Sequence, residues 1–310
     1  MKGVIIKSTG SWYSVLAMNG KKIDCRIKGV FRIKGIKNTN PVTVGDRVEF
    51  DMDDDKETGV INKIEQRKNY IIRKSINLSK QTHIIASNID RAFLVVTLAL
   101  PKTSTGFIDR FLVTAEAYGI PAAIVFNKKD IYTDEGLQEV KRMMSLYENI
   151  GYPCYFISAF NSKDIKSLQK EMKDKVSLVS GHSGVGKSTL INALDPSLHL
   201  KVGEISETHL KGMHTTTFAE MHPMPFGGFI IDTPGIKELG LVDMEKSEVS
   251  HFFPEMRSRM QQCKFNNCQH LNEPQCAVIE AVEKENIAPS RYHSYLSIMN
   301  GEELIKEYDD

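Results

Sequence analysis

The chain lacks several things that would have fixed its class at once. No apolar run in its 310 residues approaches the roughly 20 needed to span a bilayer as a helix. The start, Met1-Lys2-Gly3-Val4-Ile5-Ile6-Lys7, has neither the apolar core nor the cleavage site of a secretory signal. A cytoplasmic protein without membrane contact is therefore expected. With 5 cysteines and that compartment, a disulfide framework is not expected. There is no internal repeat and no low-complexity tract, and the formal net charge is only +1. The length suggests two or three domains.

The charge is nevertheless uneven. Residues 1–80 hold 17 Lys and Arg against 9 Asp and Glu, so the remainder is net acidic. Basic charge gathered on one domain is the footprint expected for a nucleic-acid partner. The same region reads as five short strands at 3–7, 12–18, 22–27, 47–51 and 59–66, several of them alternating apolar and polar. Asn19-Gly20, Asn40-Pro41, Val44-Gly45-Asp46 and Asp53-Asp54-Asp55 supply the turns. That pattern suits a small oligonucleotide-binding barrel. Trp12, Tyr13, Phe31 and Arg32 offer stacking or cationic contacts to RNA, with burial in the barrel as the competing fate of each aromatic. Residues 67–81, with Arg67, Lys68, Arg73, Lys74 and Lys80, read as a basic connector, either solvated or touching phosphate.

What the chain does carry is an ordered set of nucleotide motifs. Gly181-His182-Ser183-Gly184-Val185-Gly186-Lys187-Ser188 fits G-x-x-x-x-G-K-[ST]. A strand-like run, 175–180, precedes it, and a helix-like run, Thr189 to Leu194, follows. That context separates it from a chance glycine-rich turn. Backbone N–H groups of such a loop wrap phosphates at the positive end of a helix. Lys187 is expected to neutralise the β- and γ-phosphates and Ser188 to ligate Mg²⁺. Asp232-Thr233-Pro234-Gly235 follows the apolar run 229–231. Asp232 would hold Mg²⁺ through water, and the Gly235 N–H would meet the γ-phosphate. Thr215-Thr216-Thr217 lie between these motifs, where a switch belongs. Thr215 and Thr216 are both candidates to complete the magnesium shell; we assign Thr216 with Ser188, although the sequence does not separate the two threonines.

Asn127-Lys128-Lys129-Asp130 and Ser158-Ala159 also close apolar runs. A carboxylate at Asp130 accepts from the ring N–H and exocyclic amine of guanine together, a donor pair that adenine lacks. Ser158-Ala159 would support the base through a backbone N–H. The base-reading motifs thus precede the phosphate motifs, the reverse of ordinary GTPases, so the site is expected to be circularly permuted. The cofactor-binding set is Asn127, Lys128, Asp130, Ser158, Ala159, Gly181, Ser183, Gly184, Val185, Gly186, Lys187, Ser188, Thr189, Asp232 and Gly235.

Near the C-terminus, Cys263-x4-Cys268-x-His270-x5-Cys276 has thiolate and imidazole at spacings that suit tetrahedral Zn²⁺, one per chain. Glu273-Pro274 favours a turn that folds the loop back on the metal. Helices are expected over 246–262, 275–286 and from Ser290 onward. Cys25 and Cys154 read as packing residues.

Together with Asn88-Ile89-Asp90 and Asp109-Arg110-Phe111-Leu112-Val113, these motifs resemble the circularly permuted ribosome-assembly GTPase family, also called the small-ribosomal-subunit-dependent or ribosome biogenesis GTPase A family. The resemblance covers nearly the whole chain. It implies an oligonucleotide-binding barrel over 1–70, an α/β permuted GTPase domain over 71–240 and a helical zinc domain over 241–310. It also implies hydrolysis of GTP to GDP late in small (30S) subunit maturation, stimulated by that subunit and with contact to its rRNA; a monomer is expected. One departure is Met213 before His214, where the family carries Arg. Ras-like enzymes place a water-orienting Gln after the glycine of D-x-x-G; Ile236 stands there instead. His214 is then the in-chain candidate to act on water, beside Lys187, Thr215 and Thr216 in the catalytic set. Gly184 stands where some potassium-activated GTPases carry Asn. The alternative is an RNA-binding scaffold with a structural, slowly hydrolysed nucleotide. A nucleotide-dependent RNA-modifying enzyme would need a further catalytic constellation, and none is visible.

Overall fold

The computed structural model describes residues 1–27, 41–53, 57–74, 82–200, 219–232 and 245–301. Phe31, Arg32, Lys80, Met213, His214, Thr215, Thr216, Thr217, Gly235 and Ile236, all singled out from the sequence, lie outside them. The N-terminal strands are β1 (Lys2–Ser8), β2 (Tyr13–Ala17), β3 (Lys22–Ile27), β4 (Arg47–Met52) and β5 (Gly59–Ile64). Pairings β1–β2, β2–β3, β4–β5 and β1–β4 are antiparallel and β3–β5 is parallel, so the five strands close on themselves. Closure removes the unpaired edges that open sheets expose. Alternate residues point inward, and Ile5, Tyr13, Val15, Ile23, Cys25, Val48, Phe50 and Ile61 fill the barrel. The two adjacent aromatics part company here. Tyr13 is buried, whereas Trp12 stays 41% exposed with the Arg26 guanidinium 5.2 Å above its ring.

The expected connector is instead a hairpin, β6 (Tyr70–Lys74) with β7 (Thr82–Ser87). Arg67, expected in solvent or on phosphate, turns inward. Its Nε and Nη2 donate to the Asp46 carboxylate at 2.7 Å each. Asp46 is fully buried and also accepts from the Ser87 hydroxyl at 2.7 Å and the Thr43 N–H at 2.9 Å. A buried carboxylate without such partners would be costly, so this cluster pins the barrel to the hairpin. Gly45 is needed at the same place. Its φ is +90°, and a Cβ there would lie 2.1 Å from the Ser87 carbonyl oxygen. Asn88 continues the joint by donating to the Gly45 carbonyl and accepting from the Lys68 N–H.

The central sheet runs β10-β9-β8-β11-β13-β12. Its strands are β8 (Arg91–Val96), β9 (Ala122–Phe126), β10 (Cys154–Phe156), β11 (Val176–Ser180), β12 (Glu220–Pro223) and β13 (Phe229–Asp232). All neighbours are parallel except β12 against β13. β9 is buried at every position, as a parallel strand covered on both faces must be. Helices α1 (Thr105–Ala117), α2 (Asp134–Ile150), α3 (Ser162–Met172) and α4 (Lys187–Leu194) cover it. From β8 the chain winds one way to β9 and β10, then returns to the other side of β8 as β11. That reversal is the topological switch point, and ligands of open α/β sheets bind outside the strand C-termini there.

The stretch expected as one helix over 246–262 is broken. It forms a 3-10 turn (Lys246–Phe252), the short α5 (Pro254–Arg257) and a second 3-10 turn (Met260–Gln262). Proline fits the first turn of a helix but not its interior, so Pro254 starts α5 and ends what precedes it. α6 (Ala277–Glu283) and α7 (Pro289–Asn300) follow. Their core of Val249, Phe253, Met256, Val278, Ala281, Tyr295 and Ile298 also takes in Val113 of α1. The C-terminal unit is thus packed onto the GTPase domain. Arg291 of α7, 1% exposed, donates to Asp109 of α1 at 2.7 Å and to Glu255 of α5 at 2.6 Å. Burial alone would lower the Arg291 pKa, but the two carboxylates outweigh it and hold the guanidinium charged, above its ordinary value. Tyr147 of α2 donates to the same Asp109 at 2.8 Å. Among the described residues no helix is long and apolar enough to cross a membrane.

Candidate nucleotide and metal sites

The loop 181–186 leaves β11 and enters α4, as the strand–loop–helix spacing requires. Two glycines in it are dictated by space. Gly181, at φ +148°, would place a Cβ 2.2 Å from the Val95 carbonyl oxygen, and Gly186, at φ +91°, would place one 2.6 Å from Asn127 Nδ2. Asn127 donates through that Nδ2 to the Val185 carbonyl at 2.9 Å. The first residue of the base-reading motif is thereby stitched to the phosphate loop across the switch point. Lys187 donates to the carbonyls of Gly181 (2.8 Å) and His182, which holds its ammonium inside the loop. The His182 ring packs at a tilt of 32° against Phe107 of α1, with centroids 3.6 Å apart. Ser183 and Gly184 stand exposed at the tip, Val185 is buried, and Ser188 and Thr189 are half-buried at the start of α4.

Lys128 takes a left-handed conformation, φ +63°, and donates to the Leu100 carbonyl. That backbone turn carries Asp130 into a 3-10 turn, Lys129–Ile131, at the open end of β9. Asp130 is exposed, and the Ser158 hydroxyl donates to its Oδ1 at 2.5 Å. Ser158 is itself fixed, because its N–H donates to Asp164 Oδ2 at 3.0 Å. Ala159 beside it is buried. The structure therefore gathers 127–130, 158–159 and 181–189 at one edge of the sheet, with Asp232 closing β13 on the same edge.

The cysteine cluster closes as a separate centre. The ligand atoms of Cys263, Cys268, His270 and Cys276 all lie within 4.8 Å of one another. Metal–sulfur bonds of about 2.3 Å at tetrahedral angles would set sulfurs roughly 3.8 Å apart. Cys263 and Cys276 are 3.9 Å apart, and His270 Nδ1 is 3.6 Å and 3.3 Å from them. The donor set and edges fit a metal ion. Burial pushes the Cys268 thiol up to about 12 and raises Cys276, while it lowers His270. A bound cation would offset the thiol shifts by favouring thiolates. The expected turn at Glu273 is present, with the carboxylate accepting from the N–H groups of Gln269 (2.7 Å), Leu271 (2.8 Å) and Asn272 (3.1 Å). Those donors outweigh burial and hold its carboxyl below the usual range. Tyr292 and Tyr295 of α7 donate to the carbonyls of His270 and Gln269. No local pattern in the sequence marks that clamp, nor the exposed Phe160 that follows Ser158-Ala159.

Comparison with known proteins agrees with this architecture. Residues 2–61 match the RsgA N-terminal domain and residues 64–242 the RsgA GTPase domain. A relative in Christiangramia forsetii, named small ribosomal subunit biogenesis GTPase RsgA, is 58% identical over 98% of this chain and 97% of its own. One of the same name in Bacteroides fragilis is 55% identical over 98% and 97%. Among solved structures, YjeQ from Thermotoga maritima superposes with a TM-score of 0.80 at 35% identity, covering 97% of both chains. YloQ, described as a circularly permuted GTPase, superposes at 0.76 and 33% identity, covering 97% of this chain and 94% of that one. A closed five-stranded barrel, a permuted phosphate-loop domain and a Cys₃His cluster follow one another in a single chain, which belongs to the RsgA GTPase family and is a GTP hydrolase using GTP and Mg²⁺.

Proposed function

We propose that this protein engages the small ribosomal subunit and its rRNA during late maturation, and hydrolyses GTP to GDP and phosphate faster when bound there. The observation that carries the reading is full-length identity of 58% to a protein named for small-subunit biogenesis. It is supported by a barrel whose exposed face offers Trp12 under Arg26. Domains of 1–70, 71–240 and 241–310 serve as RNA-binding barrel, GTPase and zinc unit, in a cytoplasmic monomer.

In the nucleotide site Asp130 reads the guanine edge, held in orientation by Ser158, while the Ala159 N–H supports the base. Asn127 couples base reading to the phosphate loop. Lys128 lays its stem along the ring. The amides of Gly181, Ser183, Gly184, Val185 and Gly186, with Thr189 behind them, cradle the phosphates at the N-terminal end of α4. Lys187 neutralises the β- and γ-oxygens. Ser188 and Thr216 would hold Mg²⁺, with Thr215 as the other candidate for that role, and Asp232 would reach the ion through water. Bound Mg²⁺ supplies charge neutralisation of the transferring phosphoryl group. Gly235 senses the γ-phosphate, and His214 positions the attacking water. Cys263, Cys268, His270 and Cys276 hold one Zn²⁺, which fixes the loop that packs on α7. Gly235 precedes the zinc unit in sequence, so ordering of this switch by γ-phosphate would move that unit relative to the barrel. GTP sets the grip on the subunit, and hydrolysis releases it.

The experiment is single-turnover GTP hydrolysis with small subunits, large subunits or bare rRNA. Acceleration by small subunits well beyond the other two is expected. Equal rates in all conditions would favour the scaffold with a structural nucleotide.

A further inference from the structure

Asp130 lies in a short 3-10 turn with its side chain exposed. The torsion that rotates a carboxylate about its own bond is broad and two-fold, so the turn alone does not fix the plane of the two oxygens. Reading guanine needs that plane fixed, because the ring N–H and the exocyclic amine must be met together. The Ser158 hydroxyl supplies one restraint by donating to Asp130 Oδ1 at 2.5 Å. A serine hydroxyl steers only as well as its own backbone is held, and the group that holds it is Asp164.

Asp164 sits in the first turn of α3, where a carboxylate is favoured by the positive end of the helix. Its own N–H donates to Asn161 Oδ1 at 3.2 Å, and its side chain is 17% exposed. Oδ2 accepts from the Ser158 N–H at 3.0 Å, and Oδ1 faces Lys129 Nζ at 3.8 Å. Lys129 precedes Asp130 in the other base-reading loop, and its N–H donates to the Ile157 carbonyl at 3.0 Å. One carboxylate thus bridges the loops after β9 and β10. The two contacts are unequal. An ion pair with an exposed lysine contributes little, whereas Ser158 is buried, and a buried N–H stripped of its acceptor is costly. We propose that Asp164 is a positioning residue for guanine reading, which acts through Ser158 to hold the Asp130 carboxylate in the plane that meets both guanine donors. This role rests on the nucleotide reading above. Its signature is selectivity. Hypoxanthine keeps the ring N–H and lacks the exocyclic amine, so an oriented Asp130 makes one more hydrogen bond to GDP than to inosine diphosphate. A carboxylate that can turn gains less from that second donor.

The test measures binding of GDP and of inosine diphosphate, with Mg²⁺ present, to the full-length parent, Asp164→Ala, Asp164→Asn, Ser158→Ala and the double alanine variant. A hydrogen bond to a charged acceptor is worth about 10- to 150-fold in affinity, and the parent should prefer GDP within that range. Asp164→Ala should lose about fivefold or more of that preference. Asp164→Asn keeps an oxygen that accepts from the Ser158 N–H and should retain most of it. Residues in one network are not additive, so the double variant should discriminate no worse than the weaker single variant. Asp164→Ala that weakens both nucleotides equally and keeps the parent's preference has lost structure and not orientation, which overturns the proposal. Asp164→Asn falling as far as Asp164→Ala overturns it, as do losses that multiply in the double variant, since Asp164 would then act by a route that bypasses Ser158. A parent that fails to bind GDP, or binds inosine diphosphate or ADP as tightly, defeats the underlying nucleotide reading, an outcome distinct from all of these.

Discussion

Replacing Arg291 with Met should loosen the C-terminal unit from the GTPase domain. Met keeps much of the side-chain volume between Phe253, whose ring centre lies 4.6 Å from the guanidinium, and Tyr147 at 5.9 Å. It removes the only cation seen pairing with Asp109 and Glu255 among the described residues. Asp109 has no exposure, and its Oδ2 already lacks a hydrogen-bond partner. The variant therefore leaves a buried carboxylate with the Tyr147 hydroxyl as its remaining side-chain donor. Breaking such a pair from one side costs about 3–5 kcal/mol, a large share of the roughly 5–15 kcal/mol that holds a typical domain together. A multi-domain chain does not unfold in one step, so amide hydrogen exchange is the suitable assay. Exchange through local opening in α7 and the facing part of α1 should rise by about 2 to 4 decades, at about 1.4 kcal/mol per decade. Neutralising the stranded acids, as Asp109→Asn and Glu255→Gln in the Arg291→Met background, should recover most of the loss. Exchange in Arg291→Met within tenfold of the parent would refute the reasoning. Failure of the triple variant to recover would show that packing, not charge, sets the cost.

Two further outcomes follow from the sites. Gently purified protein should contain about one zinc per chain, and Cys268→Ala should lose it and loosen the C-terminal region while GTP binding survives; metal analysis that finds no zinc or comparable ion ends that assignment. His214→Ala should leave GTP affinity nearly unchanged and slow single-turnover hydrolysis on saturating small subunits by on the order of 10²–10⁴-fold, whereas a parent-like rate would move the water-orienting role to the ribosome or to another residue.

The site motifs were legible because each is a short contiguous string at the end of an apolar run. Asn127–Asp130 after β9, Ser158-Ala159 after β10 and the 181–188 loop after β11 need only local spacing to be found. The five barrel strands were legible for the same reason, since alternation and turn residues mark them. The hairpin β6–β7 was not, because the basic residues around Tyr70-Ile71-Ile72 resemble a solvated linker. Arg67 looked like surface charge for the same reason, although its partner Asp46 is buried. The contact between Arg291 and Asp109 joins residues 182 positions apart. No local pattern announces it, and its discovery needs the packing of α7 on α1. Pro254 does mark the break in the sequence, because proline favours the first turn of a helix over its interior, against the apolar periodicity around it.

Under the proposed function, base-reading motifs placed ahead of the phosphate loop build one guanine site whose hydrolysis answers to the small subunit. Subunit-stimulated hydrolysis by Asp130→Asn, with GTP and with xanthosine triphosphate, tests it most directly. A neutral amide cannot accept both guanine protons, whereas it can donate to the extra carbonyl of xanthine. Stimulated hydrolysis should pass from GTP to xanthosine triphosphate in the variant. A variant that keeps parent-like GTP hydrolysis and still rejects xanthosine triphosphate would contradict the account.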